Sequence, residues 1–556
     1  MKQAPQPPPA LGQRPQDWST LSQQSWDLIV VGGGITGAGV LREAARLGLK
    51  VLLLEQQDFA WGTSSRSSKM VHGGLRYLGQ GDYKLTQHSL QERERLLQEV
   101  PGLVDRMGYY FTLRKDKSPP PWAVKILLWL YDKLAGIRDH RRVSLPELGE
   151  RVEGIDQQLL KDCYYYTDAV TDDARLVLRV LHEAIADGAE AINYVNVERL
   201  INDDNDRVTG VQLQDQITQQ RVDINARMVI NATGAWADKL RNQVNQEKRV
   251  RPLRGSHLVI PSERLPLSDA VTLMHPNDHR AMFVFPWESR TVIGTTDLDH
   301  RDPLDREAAI SETEVHYLLA AANDLFPEAK LSVKDVISSW SGVRPVIGSE
   351  KSKDPSKERR DHAVWQDGSL ITVSGGKLTT FRLIALDVMA IVCDQLSINT
   401  ATNNAPVFSV TTISDAELTL QAPSIEPTLA QLLVARYGNA ALQIVSRRQT
   451  DELSLIAGTQ VCLAECRWLM RNEAVTHLDD LMLRRTRLGQ LLERGGEDVL
   501  TLLAPIAQQE LGWSESQWQQ ECERYLQIWR QYYYLPESMI GVVDSRAQTA
   551  QEINEL

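Results

Sequence analysis

The chain has 556 residues, 42% of them apolar and 24% charged, enough to bury a large core without disulfides or structural metals. Its 61 Lys and Arg against 73 Asp and Glu give a net charge of −12, which excludes a dedicated nucleic-acid binder, because a polyanion needs a basic surface. Five mostly scattered cysteines fit a reducing compartment, and Cys462 and Cys466, four apart, read as buried thiols rather than metal ligands.

Residues 1–25 are rich in Gln and Pro and place no apolar run after Lys2, so a disordered tail and no secretory signal are expected. No apolar run reaches the ~18 residues of a membrane-spanning helix. The expected location is cytoplasmic, free or on a membrane surface.

Leu28-Ile29-Val30-Val31 is a short apolar run suited to a buried parallel strand. Gly32-Gly33-Gly34-Ile35-Thr36-Gly37 follows, a helix is predicted to run to Leu47, and Val51-Leu52-Leu53-Leu54 is a second strand ending in Glu55. Strand, G-x-G-x-x-G, helix, strand and acid in this order predict a Rossmann-like dinucleotide site. Gly32 allows the tight turn, Gly34 the approach of a pyrophosphate, and Gly37 close helix–strand packing. The helix N-terminus offers free N–H groups to the phosphates. Glu55, about 20 residues on, can accept from ribose hydroxyls and disfavours a 2′-phosphate.

The segment 59–78 adds two hydroxyl clusters, Arg66, Lys69 and a Gly pair, which alone say only that a loop lies near a phosphate. Met228-Val229-Ile230-Asn231 runs into Ala232-Thr233-Gly234, either a cofactor contact or a plain strand-to-helix turn. Ile371-Thr372-Val373 leads into Ser374-Gly375-Gly376-Lys377-Leu378-Thr379-Thr380, a second strand–Gly–helix junction whose helix end can stabilise negative charge. No second complete G-x-G-x-x-G follows, so a single dinucleotide is expected. In DDARLV, Asp172 or Asp173 reads as the N-cap of a helix over 174–185.

From Trp26 onward the sequence resembles the FAD-dependent glycerol-3-phosphate dehydrogenases. The resemblance rests on TSSRSSK (63–69), HGGLRYL (72–78), DDARLV (172–177), NATGAW (231–236), GSHLVI (255–260), FPW (285–287), IGTTD (293–297), SGVRP (341–345) and GGKLTT (375–380). It implies an α/β fold, with a Rossmann-like FAD-binding domain over 26–100, 165–238 and 340–395. A mixed or antiparallel substrate cap over 101–164 and 239–339 and a helical C-terminal domain over 405–545 complete it. Thr63, Ser64, His72, Gly234, Gly375, Leu378 and Thr379 are then expected at FAD, with Gly32, Gly34, Gly37 and Glu55.

The implied reaction is hydride removal from C2 of glycerol 3-phosphate to FAD, giving dihydroxyacetone phosphate. Electrons then pass to a membrane quinone; the alternatives are an oxygen-reducing oxidase and a flavin-binding docking protein with no reaction of its own. The family also implies a peripheral position on the inner face of the cytoplasmic membrane, and a homodimer is allowed.

The cations inside the motifs are Arg76, Arg254, Arg344 and Lys377. A lone Arg is by default solvated or salt-bridged, but an Arg fork suits a phosphate and Lys adds a point charge. Arg344, read as lying in a rigid turn, and Lys377 are taken as catalytic; Arg76, Arg254 and Tyr77 are taken as substrate-binding. His257 is the candidate base, because a neutral imidazole titrates near working pH; substrate binding and a structural role remain open for it.

Short strands such as Met282-Phe283-Val284-Phe285 and Val292-Ile293-Gly294 predict an antiparallel cap. After about residue 400 the pattern turns helical, and Trp518, Cys522, Tyr525 and Trp529 fall on one stripe, read as core. Residues 119–134, with Trp122, Ile126, Trp129, Lys125 and Lys133, read as a buried or an interfacial helix, the aromatics and lysines favouring a membrane surface.

Overall fold

The run Leu28–Val31 forms the last four residues of the strand Trp26–Val31 in the computed structural model, which describes residues 10–79, 81–116, 118–348, 361–398 and 404–540. Parallel partners flank it: Val51–Leu54 and then Glu190–Ile192 on one side, Arg221–Asn231 and then Leu370–Gly375 on the other. His362–Asp367 closes one edge antiparallel, and the strands Val195–Asn202 and Val208–Asp215 extend Arg221–Asn231 as an antiparallel flap. Leu28 and Val30 pack into one core and Ile29 and Val31 into another, which explains why the run is apolar without alternation.

The helices Ile35–Arg46, Asp173–Ala186 and Phe381–Leu396 bury their apolar stripes in the first core. The second core corrects the expected tail. Residues 1–9 lie outside the described residues, but Trp18 and Leu21 are buried against Trp26, Ile29 and Leu52, so residues 10–25 are packed chain. Two large apolar side chains outweigh the polar composition around them.

Among the described residues, ten strands make the second, mixed sheet. Val250–Pro261 lies next to one edge of it, paired antiparallel with Ser338–Ile347 on that side and with Arg290–Gly294 on the other. Ala281–Trp287, Ala270–Met274, Val104–Arg114 and Leu160–Thr171 continue it. Two expected boundaries shift. Ser338–Ile347, placed with the nucleotide fold from residue 340, is a strand of this sheet, so Arg344 sits mid-strand opposite Leu253 and not in a turn. Leu160–Thr171 crosses the 164/165 boundary as one unbroken strand. Asp172 is the N-cap of Asp173–Ala186, accepting from Arg175 N at 3.1 Å.

Between residues 404 and 540 the regular elements are helical, with Pro427–Tyr437, Leu463–Asn472, Leu500–Leu511 and Glu515–Tyr532 the longest. Residues 541–545 lie outside the described residues. Trp518, Tyr525 and Trp529 face inward, and Trp529 Nε1 donates to Gly489 O at 2.6 Å, so the aromatic stripe is core. Cys163, Cys393, Cys462 and Cys466 are buried free thiols.

Candidate active site

The C-terminal ends of the parallel strands open into a cleft of about 1340 Å³. Gly32 ends the first strand with φ +112°, and a Cβ there would stand 2.6 Å from Ala232 O, so no side chain fits. Gly34 caps the helix Ile35–Arg46 and faces the cleft. Gly37 does not line the cleft; it lets the helix press on the turn, since a Cβ there would lie 1.9 Å from Gly32 O. Ser64 Oγ accepts from Ile35 N at 3.0 Å, satisfying one of the free donors of the helix start.

Glu55 lines the cleft at the end of Val51–Leu54. Its carboxylate accepts from Gly33 N at 2.6 Å and from Gln57 N at 2.9 Å, tying the glycine loop to the second strand. Burial pushes its pKa up to about 7, although the residue is only half-buried and faces the open cleft, which moderates the rise. A folded pKa above the unfolded value means that stability present below pH ~4.5 is lost as pH climbs through about 7. Glu55→Gln is therefore expected to melt higher than the wild type as cofactor-free protein at pH 8, to gain less at pH 5, and to retain the dinucleotide less well. Melting curves at the two pH values and the flavin content check this.

The other end of the cleft is made by Gly234, Gly375, Lys377 and Leu378, with Trp61, Thr63, Trp236 and Pro345. Ser374 Oγ donates to Gly234 O at 2.9 Å, joining the two strand–Gly junctions. Gly375 has φ +82°, and a Cβ there would stand 2.7 Å from Asp361 O. Trp61 and Trp236 lie with ring centroids 5.7 Å apart. Thr63 Oγ1 donates to Val343 O and so joins the loop to the second sheet. Thr379 is buried and donates to His72 O at 3.3 Å; both stand behind the lining.

Lys377 Nζ sits 3.7 Å over the Tyr77 ring and 3.3 Å from Ser89 Oγ, so Tyr77, buried on the helix Leu75–Gly79, meets the cleft through Lys377. Arg76 on the same helix is exposed and does not line the cleft. Arg344 Nη1 donates to Asp297 Oδ1 at 3.1 Å and Nη2 to Thr295 Oγ1 at 3.2 Å, fixing the guanidinium plane; Arg344 itself does not line the cleft, whereas its strand neighbour Pro345 does.

Two expectations are corrected by strand register. Arg254 pairs with Val343 and so faces away from Arg344, which pairs with Leu253. On that far face Arg254 Nη2 is 2.8 Å from Glu314 and Nη1 is 3.1 Å from Asp302, so it belongs to an ion cluster and not to the cleft. His257 faces the nucleotide side but is only 1% exposed. Its ring stacks on Trp340 at 4.9 Å and its Nε2 lies 2.9 Å from Ser68 Oγ, so it stands behind the wall and does not reach the open space. Burial and the charges of Arg344 and Lys69 hold it well below its ordinary pKa, so the imidazole is neutral.

Lining residues that motif reading passed over include Val195, Glu198, Lys239 and Gln243. They come from the flap strand Val195–Asn202 and from the helix Ala237–Arg241 and the residues just after it, outside the motifs read in the sequence.

The cleft fits a dinucleotide such as FAD. The helix N-terminus and the side-chain-free surface at Gly32 and Gly34 suit the pyrophosphate, Glu55 suits a ribose, and Gly234, Gly375 and Leu378 leave room for a planar ring. Residues 27–384 match the model of the FAD dependent oxidoreductase family, and residues 399–518 match the C-terminal domain of alpha-glycerophosphate oxidase. An aerobic glycerol-3-phosphate dehydrogenase of Staphylococcus saprophyticus is 32% identical over 85% of this chain and 88% of the relative. One from Staphylococcus aureus is 36% identical over 68% of each chain. The FAD complex of a Bacillus halodurans glycerol-3-phosphate dehydrogenase superposes with TM-score 0.74 at 27% identity, covering 92% of this chain and 96% of that one. The chain therefore belongs to the FAD-dependent oxidoreductases, in the family of the aerobic glycerol-3-phosphate dehydrogenases.

Proposed function

We propose that the protein oxidises sn-glycerol 3-phosphate to dihydroxyacetone phosphate and passes the electrons to a membrane quinone. Bound FAD supplies the hydride acceptor. What supports the substrate reading is Lys377, a cation in the wall at the ring end of the cleft, with Arg344 next in its strand to the lining residue Pro345 but not itself in the lining. A fork and a point charge suit a phosphate dianion. Arg344 is held by a buried carboxylate, Asp297, which Arg280 Nη2 also approaches at 3.3 Å, so the fork is preorganised. Preorganised charge needs no rearrangement when the substrate arrives. Trp61 and Trp236 line the same end, an apolar surface suited to shielding a bound substrate from water.

Adding glycerol 3-phosphate to the protein without oxygen is expected to bleach the flavin, while glycerol and amino acids leave it coloured. A flavin that stays oxidised would overturn the assignment. Stoichiometric peroxide in air, with no rate gain from a quinone, would move it to the oxidase.

The helix Pro121–Ala135 supports the membrane part. Val124, Leu128 and Tyr131 are buried, while Trp122, Ile126 and Trp129 are 67%, 55% and 55% exposed, with Lys125 and Lys133 on the same helix. Among the described residues no helix is long and apolar enough to cross a membrane. A helix with two exposed Trp, an Ile and lysines suits the headgroup boundary, where rings sink and ammonium groups stay wet. A quinone is reached from there. Each ring is worth on the order of 2 kcal/mol on leaving water. The double variant Trp122→Ser, Trp129→Ser is expected to partition at least ~10-fold less onto anionic vesicles, with turnover on a soluble acceptor dye kept. Vesicle co-sedimentation checks it.

A further inference from the structure

The nucleotide fold does not hold the Glu55 end of its cleft alone. Glu55 and Gln56 line that end from one side and Val195 from the other. The two segments are stitched by Val195 N to Glu55 O at 2.7 Å and Tyr194 N to Gln57 O at 2.8 Å. Just beyond the stitches, each segment is gripped by the C-terminal helical region. Asp58, fully buried, accepts from Arg485 Nη1 at 2.6 Å and Nη2 at 2.8 Å, and from Arg484 Nε. Tyr194 Oη donates to Asp480, which also accepts from Arg484 Nη2 at 2.6 Å.

Asn193 closes the knot, with Nδ2 donating to Asp58 Oδ1 at 3.1 Å and to Ala474 O at 3.0 Å. The N-terminal segment joins it: Leu11 N donates to Asn472 O at 2.8 Å and Arg14 Nη1 to Asn193 O at 2.6 Å. Asp58, Arg484 and Arg485 have side chains 0% exposed. Such charges cost much desolvation, and apolar packing would fasten two domains as well or better. What charges add is a fixed geometry, and this one lies three residues from Glu55 and one from Val195.

We propose that the Asp58–Arg484–Arg485–Asp480–Tyr194 knot is a positioning device for the adenosine half of FAD, through which the C-terminal region sets how tightly the cofactor is held. Asp58 and Tyr194 touch no ligand; they act by fixing the backbone of Glu55 and Val195. The inference rests on the cleft holding FAD and is independent of the substrate.

The test is FAD titration of the cofactor-stripped full-length protein, for the wild type and for Arg485→Met, Arg485→Lys and Tyr194→Phe. Tyr194→Phe removes one oxygen and keeps the packing if Arg485→Met does not fold. The dissociation constant is expected to rise at least ~10-fold in Arg485→Met and several-fold in Tyr194→Phe, with Arg485→Lys in between. At saturating FAD the absorption spectrum of the bound flavin should match the wild type, because the ring end lies across the sheet. Unchanged affinity in the folded variants overturns the proposal. So does an affinity loss accompanied by an altered flavin spectrum, which marks a general loosening of the site. A wild type that takes up no FAD would instead sink the cofactor assignment.

Discussion

Gly37→Ala is expected to give a colourless protein. In a helix interior alanine is favoured over glycine by ~1 kcal/mol, so propensity alone predicts a gain. The added Cβ would lie 1.9 Å from Gly32 O, far inside contact distance, and that oxygen is backbone. The helix Ile35–Arg46 must move away from the turn by roughly 1 Å, and overpacking of this kind costs ~1–3 kcal/mol. The larger effect falls on the cofactor. A displaced helix start withdraws its N–H groups from the pyrophosphate, and each charge-assisted bond is worth ~1.5–3 kcal/mol. Losing two weakens FAD binding by at least ~100-fold. Gly48→Ala is the control: Gly48 has positive φ, +72°, which Gly37 does not, but nothing stands within 4 Å of its Cβ. It should lose some stability and keep its colour. The flavin-to-protein absorbance ratio of the purified variants decides, and a yellow Gly37→Ala protein would refute the packing argument.

Gly37 was legible because its constraint is local. The turn, the helix and both strands lie within thirty residues, and each leaves a mark in composition or spacing. Glu55 and the Gly375–Leu378 junction were legible for the same reason. Arg254 and His257 were not, because their surroundings are set by the pairing of Val250–Pro261 with Ser338–Ile347. Neither strand reveals its register alone, and one residue of register moves a side chain to the other face. Leu253 opposite Arg344 is what separates Arg344 from Arg254. The knot around Asp58 joins residues 426 apart in the chain, and nothing near Asp58 announces Arg484. Residues 10–25 were misread because the prolines before them dominated the composition, while Trp18 and Leu21 carried the packing signal.

Arg344→Met is expected to lower kcat/KM for glycerol 3-phosphate by ~10²–10³ while FAD stays bound. Two charge-assisted bonds from a guanidinium to a phosphate are worth ~3–6 kcal/mol together. Arg344 is 21% exposed, so solvent screens part of this and ~3–4 kcal/mol is left, at about 1.4 kcal/mol per decade. Arg344→Lys keeps the charge without the fork and should fall between the two. The loss should be specific to the phosphate, so that selectivity for glycerol 3-phosphate over glycerol collapses with kcat/KM. A second consequence follows from His257. Arg344 is one of the two cations that, with burial, hold that imidazole far below its ordinary pKa. Removing that charge raises the pKa of the buried ring, although burial, the largest cause, still holds it down. Arg344→Met should therefore shift the His257 imidazole titration, followed by NMR, to higher pH, whereas Asp297→Asn, which leaves the guanidinium charge in place but frees its orientation, should lose substrate affinity without that shift. If Arg344→Met kept its selectivity over glycerol, the phosphate would have to be held from the Lys377 side of the cleft, and the fork held by Asp297 would be a strut of the second sheet.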